Sequence, residues 1–272
     1  MSDQTLLEQI LDPGALSACF QPVVESNGSG YRTHYLECLV RGPKGTAAER
    51  PDVLFSYVRR KHGEVAVDRA CIRTILSVAE AFPGDGSLGI NVHSVTLAVD
   101  PDFLVFLKEE AGRHGIDLAR IIIEIVEHGV PRNGTAFGEA LAGLRRLGVR
   151  VALDDIGLGH SNYKMILDSR PDYFKIDRYF VQGAGSDFYR QAVLKSVAEL
   201  ARPFGARVVV EGVENEADLA AARSAGATLF QGFAFSRALP GSAYLGATPP
   251  LGSTRPGIEE QPVSRRPQGD GS

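Results

Sequence analysis

Residues 149–161 read Val-Arg-Val-Ala-Leu-Asp-Asp-Ile-Gly-Leu-Gly-His-Ser, and the fold turns on how they are taken. Val149, Val151 and Leu153 alternate as the buried side of a strand does. That strand runs straight into Asp154 and Asp155, and then into a loop opened by Gly157 and Gly159. Adjacent carboxylates disfavour each other's ionisation unless positive charge lies between them. A divalent cation with oxygen ligands would supply that charge. Asp and Gly are also ordinary turn residues, so the pair by itself favours a plain strand end and turn. Its meaning depends on what the other strand ends carry.

Working outward, short apolar strands alternate with helices. Strands are expected at Ala18–Val24, His34–Val40, Leu88–Val92, Arg120–Val126, Val149–Asp155, Tyr173–Ile176, Arg207–Val213 and Thr228–Phe230. Pro22 inside the first implies an edge or a bend. Helices are expected at Leu6–Leu11, Pro51–Lys61, Glu64–Ala81, Pro101–Arg113, Thr135–Leu147, Asn162–Leu167, Phe188–Ala201 and Glu216–Ser224. This alternation points to a mainly parallel sheet buried on both faces. With about eight strands in one domain, an α/β barrel of the (β/α)8 type is favoured over an open sheet. Residues 1–17 read as an N-terminal helical segment and residues 18–245 as the barrel. From Gly246 to Ser272, Pro, Gly, Ser and Arg dominate without apolar periodicity, so a disordered tail is expected.

Composition narrows the function. The 272 residues are 44% hydrophobic, enough for a large core, and carry a formal net charge of −4. The absence of a basic stripe argues against DNA or RNA polymers as partners. Cys19, Cys38 and Cys71 have neither the count nor the spacing of a disulfide framework or a zinc site. Neither a signal peptide nor a membrane-spanning apolar run is legible, so a soluble cytoplasmic protein is expected.

Glu37, Asn91, Glu124, Asp154, Asp155, Lys175, Glu211 and Gln231 each stand at or near the carboxyl end of an expected strand. In an α/β barrel those ends form one face, where the active site is expected. Any one of them is about as well explained as a cap or turn residue. Glu, Gln and Lys are poor at both tasks, so the set as a whole is not. Glu124 follows Ile121-Ile122-Ile123 and Glu211 follows Val208-Val209-Val210, surroundings in which an unpaired carboxylate is expensive. Carboxylates with an Asn, and no His or Cys cluster, favour Mg²⁺ or Mn²⁺ over zinc. Two such ions suit in-line displacement at phosphorus, with Lys175 neutralising phosphate charge. His93 and His128, next to strand ends, read as structural or as supports behind the ligands rather than as ligands.

The motifs resemble the EAL-domain cyclic di-GMP phosphodiesterases. Glu37-Cys38-Leu39-Val40-Arg41 is similar to the family's Glu-Ala-Leu-x-Arg signature, and Phe20-Gln21-Pro22 precedes it as there. Asn91-Val92-His93-Ser94, Glu124-Ile125-Val126-Glu127, Asp154-Asp155-Ile156-Gly157, Lys175-Ile176-Asp177, Glu211-Gly212-Val213-Glu214 and Gln231-Gly232 follow in the family's order. The resemblance implies a modified barrel whose first strand runs antiparallel. It also implies hydrolysis of cyclic di-GMP to linear pGpG by in-line attack of a metal-activated water, with Mg²⁺ or Mn²⁺, in a homodimer. Carried over by position, Glu37, Asn91, Glu124 and Asp154 are metal ligands, and Asp155 binds metal or its bridging water. Lys175 orients water and phosphate, Glu211 is a general base or metal-site carboxylate, and Gln231 holds the water network. Gln21, Leu39 and Arg41 contact the ligand. Glu127 and Glu214 support from behind, Glu127 by tethering the loop after the paired Asp. Cys38, Val126, Ile156 and Leu158 depart from the family's usual residues.

Three rival readings follow. A catalytically weak member would bind cyclic di-GMP as a receptor. A Schiff-base enzyme would use Lys175, but surrounding carboxylates raise its pKa. A pure scaffold would leave the converging polar strand ends without a role. The motifs begin almost at the N-terminus, so regulation is expected through the first helix, the loop after Asp155, a protein partner or expression.

Overall fold

The structure, a computed structural model, describes residues 4–27, 30–126, 133–157 and 163–246. Glu127, His128, Leu158 and the tail from residue 247 lie outside the described residues. Strands β1 (Ser17–Ser26), β2 (Tyr31–Arg41), β3 (Ser87–His93), β4 (Ile121–Val126), β5 (Arg150–Ile156), β6 (Tyr173–Ile176), β7 (Arg207–Val210) and β8 (Leu229–Phe230) form one sheet. Neighbours from β2 to β8 are parallel, and β1 closes the ring by pairing antiparallel with both β2 and β8. The chain therefore folds as an eight-stranded α/β barrel with an inverted first strand, as expected. A short β9 (Leu239–Pro240), not legible in the sequence, pairs with Cys19 and Phe20 of β1.

Pro22 fits this arrangement for a physical reason. On one side β1 pairs with β2 throughout; on the other it pairs with β9 at Cys19 and Phe20 and with β8 at Val24 and Glu25. Pro22 falls between those two pairings, where a missing N–H removes no ladder bond.

Helices cover the barrel: α1 (Leu6–Leu11), α2 (Pro51–Arg60), α3 (Glu64–Ala79), α4 (Ser94–Val99), α5 (Phe103–Arg113), α6 (Gly134–Arg146), α7 (Tyr163–Ser169), α8 (Arg178–Val181), α9 (Phe188–Ala201) and α10 (Glu216–Ser224). Short polar side chains start several of them. Thr5 and Glu8 form a reciprocal capping box on α1, and Asp187 accepts from Tyr189 N and Arg190 N at the start of α9. The turns α4 and α8 are too short to show periodicity, and β-branched Val95, Thr96 and Val99 argue against a helix at α4. The strand expected over Arg207–Val213 stops at Val210, because Gly212 turns the chain at φ +65°.

Strand alternation sorts every side chain into one of two compartments. Outward residues such as Val151, Leu153, Phe174, Ile176, Val208 and Val210 pack against the helices in the main core. Inward residues Val23, Tyr35, Ile122, Ala152, Tyr173, Val209 and Leu229 form a second buried cluster, a floor across the barrel. Gly89 of β3 completes this layer in register, opposite Glu37 and Ile122. The floor positions the site, since one pleat further along each strand the inward residue changes from apolar to polar.

Below the floor, His34 Nε2 lies 3.1 Å from Tyr173 Oη, which accepts from Arg150 Nη1 at 2.7 Å. Burial, then Arg207, push His34 down to about 4 from its ordinary 6.5, so the folded state prefers it neutral. The unfolded chain takes up that proton first. Stability from this group is therefore present above about pH 6.5 and is lost as pH falls toward 4. Unfolding titrations in urea should show a flatter acid limb for His34→Gln than for the wild-type chain; identical slopes would refute the assignment.

Candidate active site

The residues two positions beyond the floor are Glu37, Asn91, Glu124, Asp154, Lys175, Glu211 and Gln231 on the parallel strands or just past them. On the inverted β1 the equivalent is two positions before, Gln21, paired in register with Glu37. Each of β1 to β8 thus contributes one of the polar residues singled out in the sequence, and period-2 alternation is what aims them at one place.

Lys175 is the hub. Its side chain is fully buried, and Nζ lies 2.6 Å from Glu124 Oε2, 2.8 Å from Glu211 Oε1, 3.3 Å from Asp154 Oδ1 and 3.4 Å from Glu37 Oε1. Asn91 Nδ2 donates to Glu37 Oε1 at 3.3 Å and Gln231 Nε2 to Oε2 at 2.6 Å. Both oxygens of Glu37 are therefore held and its carboxylate plane is fixed. Gly232 makes the Gln231 contact feasible. Its φ is +154°, and a Cβ there would overlap the backbone of Val213, whose N–H donates to Gln231 O at 2.9 Å.

Asp155 reaches the site by a device the sequence does not announce. Simple alternation would turn it away from Asp154. Leu153 pairs with Phe174 and Ile156 with Ile176, so β5 carries one residue more than β6 between those pairs. This bulge puts Asp155 at φ +54° and lets Leu153 and Ile156 both face the core. Asp tolerates the left-handed region better than most residues, at a cost of about 1–3 kcal/mol. Asp177, which caps α8, sits close enough to help raise Asp155.

Charge is unbalanced in the cluster, with five carboxylates about one ammonium. Burial lifts Glu124 to about 8 against the pull of Lys175, with Glu37 and Asp154 adding to it. Burial likewise raises Asp154, raises Glu211 well above the carboxylate range, and, with Asp154 and Asp177, takes Asp155 to about 6. Glu37 goes the other way despite its burial, because Lys175, Gln231 and Asn91 all donate to it. Lys175 would lose its proton by burial alone, but the carboxylates hold it well above the usual range.

Two sets of three carboxylates bring ligand oxygens within 4.8 Å of one another: Glu37, Glu124 and Asp154, and Asp154, Asp155 and Glu211. They share Asp154. Asn91 Oδ1 is buried without a hydrogen-bond partner. Hard oxygen donors, excess negative charge and an orphaned buried amide oxygen fit divalent cations of the Mg²⁺ or Mn²⁺ kind.

Other expected residues stand apart from the ion-pair network. Leu39 and Arg41 follow Glu37 on the inward side of β2 toward the mouth, and Arg41 Nη1 donates to Val40 O at 3.2 Å. Gln21 Nε2 donates to Ser236 O at 2.9 Å. Glu214 is exposed and accepts from Gln182 Nε2 at 3.0 Å. Glu127 is outside the described residues. Sequence reasoning missed Tyr35, whose place two residues before Glu37 was a readable sign that it shares the barrel interior.

Residues 3–238 match the model of the EAL domain, and the chain belongs to that family. It is 28% identical over 229 residues to the probable cyclic di-GMP phosphodiesterase PdeN of Escherichia coli, covering 81% of this chain and 43% of that one. It is also 28% identical over 182 residues to the blue light- and temperature-regulated antirepressor BluF of Escherichia coli, covering 66% and 45%. Among solved structures, the calcium and cyclic di-GMP complex of BlrP1 from Klebsiella pneumoniae superposes with a TM-score of 0.74 at 28% identity, over 89% of this chain and 59% of that one. The chain thus spans less than half the length of these curated relatives.

Removing the hub tests the electrostatic account. Lys175→Met leaves buried carboxylates uncompensated and should destabilise the metal-free protein by about 3–5 kcal/mol near neutral pH. Acid protonates those carboxylates, so the deficit should shrink as pH falls; urea unfolding at about pH 8 and pH 5 measures both. A deficit independent of pH would mean that Lys175 acts by packing alone.

Proposed function

We propose that this chain is a metal-dependent phosphodiesterase that hydrolyses cyclic di-GMP to linear pGpG. The observation that carries the reading is the pair of carboxylate sets joined through Asp154 at the carboxyl ends of the barrel strands. Glu37, Glu124, Asp154 and Asn91 Oδ1 would hold one Mg²⁺ or Mn²⁺ ion, and Asp154, Asp155 and Glu211 a second. The chemistry such ions supply is neutralisation of phosphoryl oxygens and activation of water.

The chain's own residues do the rest. Asn91 and Gln231 orient Glu37 through both of its oxygens. Lys175 keeps the carboxylates together and would offer a fixed positive charge to the phosphodiester. Glu211, the most exposed of the four carboxylates around Lys175 at 17% of its side chain, would accept the proton from the attacking water. Gln21, Leu39 and Arg41, nearer the mouth, would meet the dinucleotide, and Glu127 and Glu214 would support the loops. The resemblance to the family extends the proposal to a homodimer in a bacterial cytoplasm.

A receptor that binds the dinucleotide with little turnover is the second reading. Val126, an apolar residue at the end of β4, and the similarity to an antirepressor favour it.

Turnover of cyclic di-GMP by the purified chain, with Mg²⁺, with Mn²⁺ and with chelator, decides between them. The phosphodiesterase reading expects pGpG that falls at least about 100-fold with chelator and in Glu37→Ala. Tight binding without product supports the receptor. Neither binding nor product rejects both.

A further inference from the structure

The floor layer contains two phenols with different fates. Tyr173 Oη accepts from Arg150 and contacts His34. Tyr35 is fully buried on β2, and its Oη has no partner of that kind. Glu124 Oε1, one pleat above the floor on β4, is likewise buried with no other hydrogen-bond partner, while Oε2 is taken by Lys175. Gly89 shows that the two side chains border the same small space. A Cβ there would overlap Glu124 Oε1 and come within 2.8 Å of Tyr35 Cε2, so ring edge and carboxylate occupy the same notch beside β3. A phenol keeps its proton at neutral pH, so Tyr35 has an O–H to donate. A buried phenol O–H without an acceptor is costly, and the neighbouring carboxylate oxygen removes that cost.

We propose that Tyr35 is a positioning residue for Glu124, its O–H bonding Oε1 from the barrel floor while Lys175 holds Oε2, with Gly89 providing the notch in which they meet. The two donors fix the plane of Glu124 as Asn91 and Gln231 fix that of Glu37. Outer donors of this kind set how well a carboxylate presents itself to a cation. The proposal deepens the phosphodiesterase reading and rests on it only for the effect on catalysis.

Tyr35→Phe keeps the ring and removes the O–H. The Raman difference spectrum, wild type minus Tyr35→Phe, should show the Fermi doublet of a strongly donating phenol. The doublet of an unbonded phenol overturns the proposal, whether or not the protein turns over any substrate. Calorimetry with Mn²⁺ alone should show affinity lower by about 10–100-fold in Tyr35→Phe and in Gly89→Ala. In turnover, kcat should fall while KM for cyclic di-GMP stays within about twofold. Unchanged Mn²⁺ affinity in Tyr35→Phe, with Mn²⁺ bound by the wild type, also overturns it. A wild type that binds no Mn²⁺ counts against the function instead, and the Raman result alone then decides the role of Tyr35.

Discussion

One buried ammonium holds this barrel's open end together. Lys175 Nζ is in reach of carboxylates from β2, β4, β5 and the end of β7, so a single side chain on β6 ties together the ends of most of the parallel strands. Such a cluster is weak evidence for stability, since taking each charge out of water costs several kcal/mol. Its stabilising share falls to the apolar floor beneath and the helix-facing core outside. The cluster instead enforces geometry: each carboxylate has a defined distance to a common centre, and displacing any one leaves the others poorly compensated.

Within the cluster the same residue type does different work in different surroundings. Glu37 has three donors and stays ionised, whereas Glu124, fully buried just above the apolar layer with Lys175 as its main counter-charge, is driven up to about 8. Asp154 and Asp155 are neighbours in sequence yet arrive by different routes, one by ordinary alternation and the other through a bulge with a left-handed residue. A surplus of carboxylates is an unfavourable arrangement for a protein alone. It becomes favourable with cations, which is the sense in which strain at a site is informative about its use.

Much of this was legible in the sequence. Strands such as Ile121–Val126 and Tyr173–Ile176 announce themselves by length and apolar content, and their polar residues mark where they end. The barrel and its face followed, and the ordered motifs gave the family. The remainder was hidden for identifiable reasons. Alternation alone would send Asp155 outward, because a bulge depends on the partner strand's register and leaves no local mark. Tyr35 reads as one more buried aromatic until Gly89 and Glu124 are brought beside it from strands far along the chain. Gln231 is two residues past Leu229, and only the crossing at Val213 explains the glycine that follows it.

The inverted first strand has a consequence for when the molecule becomes whole. β1 and β2 form a local hairpin, available as soon as both have been synthesised. Closing the ring is another matter, because β1 must also find β8 and β9, far along the chain from it. The bond from Gln231 to Glu37 spans 194 residues, and that from Tyr244 to the carbonyl of Phe20 spans 224. Contacts so distant in sequence form late, since the chain entropy between them is spent before they can reward it. A nascent chain therefore carries Glu37, Asn91 and Glu124 without a closed ring to hold them until β8 and β9 have been made. Assembly of the acidic centre and circularisation of the sheet are one event, and it waits for the last strands.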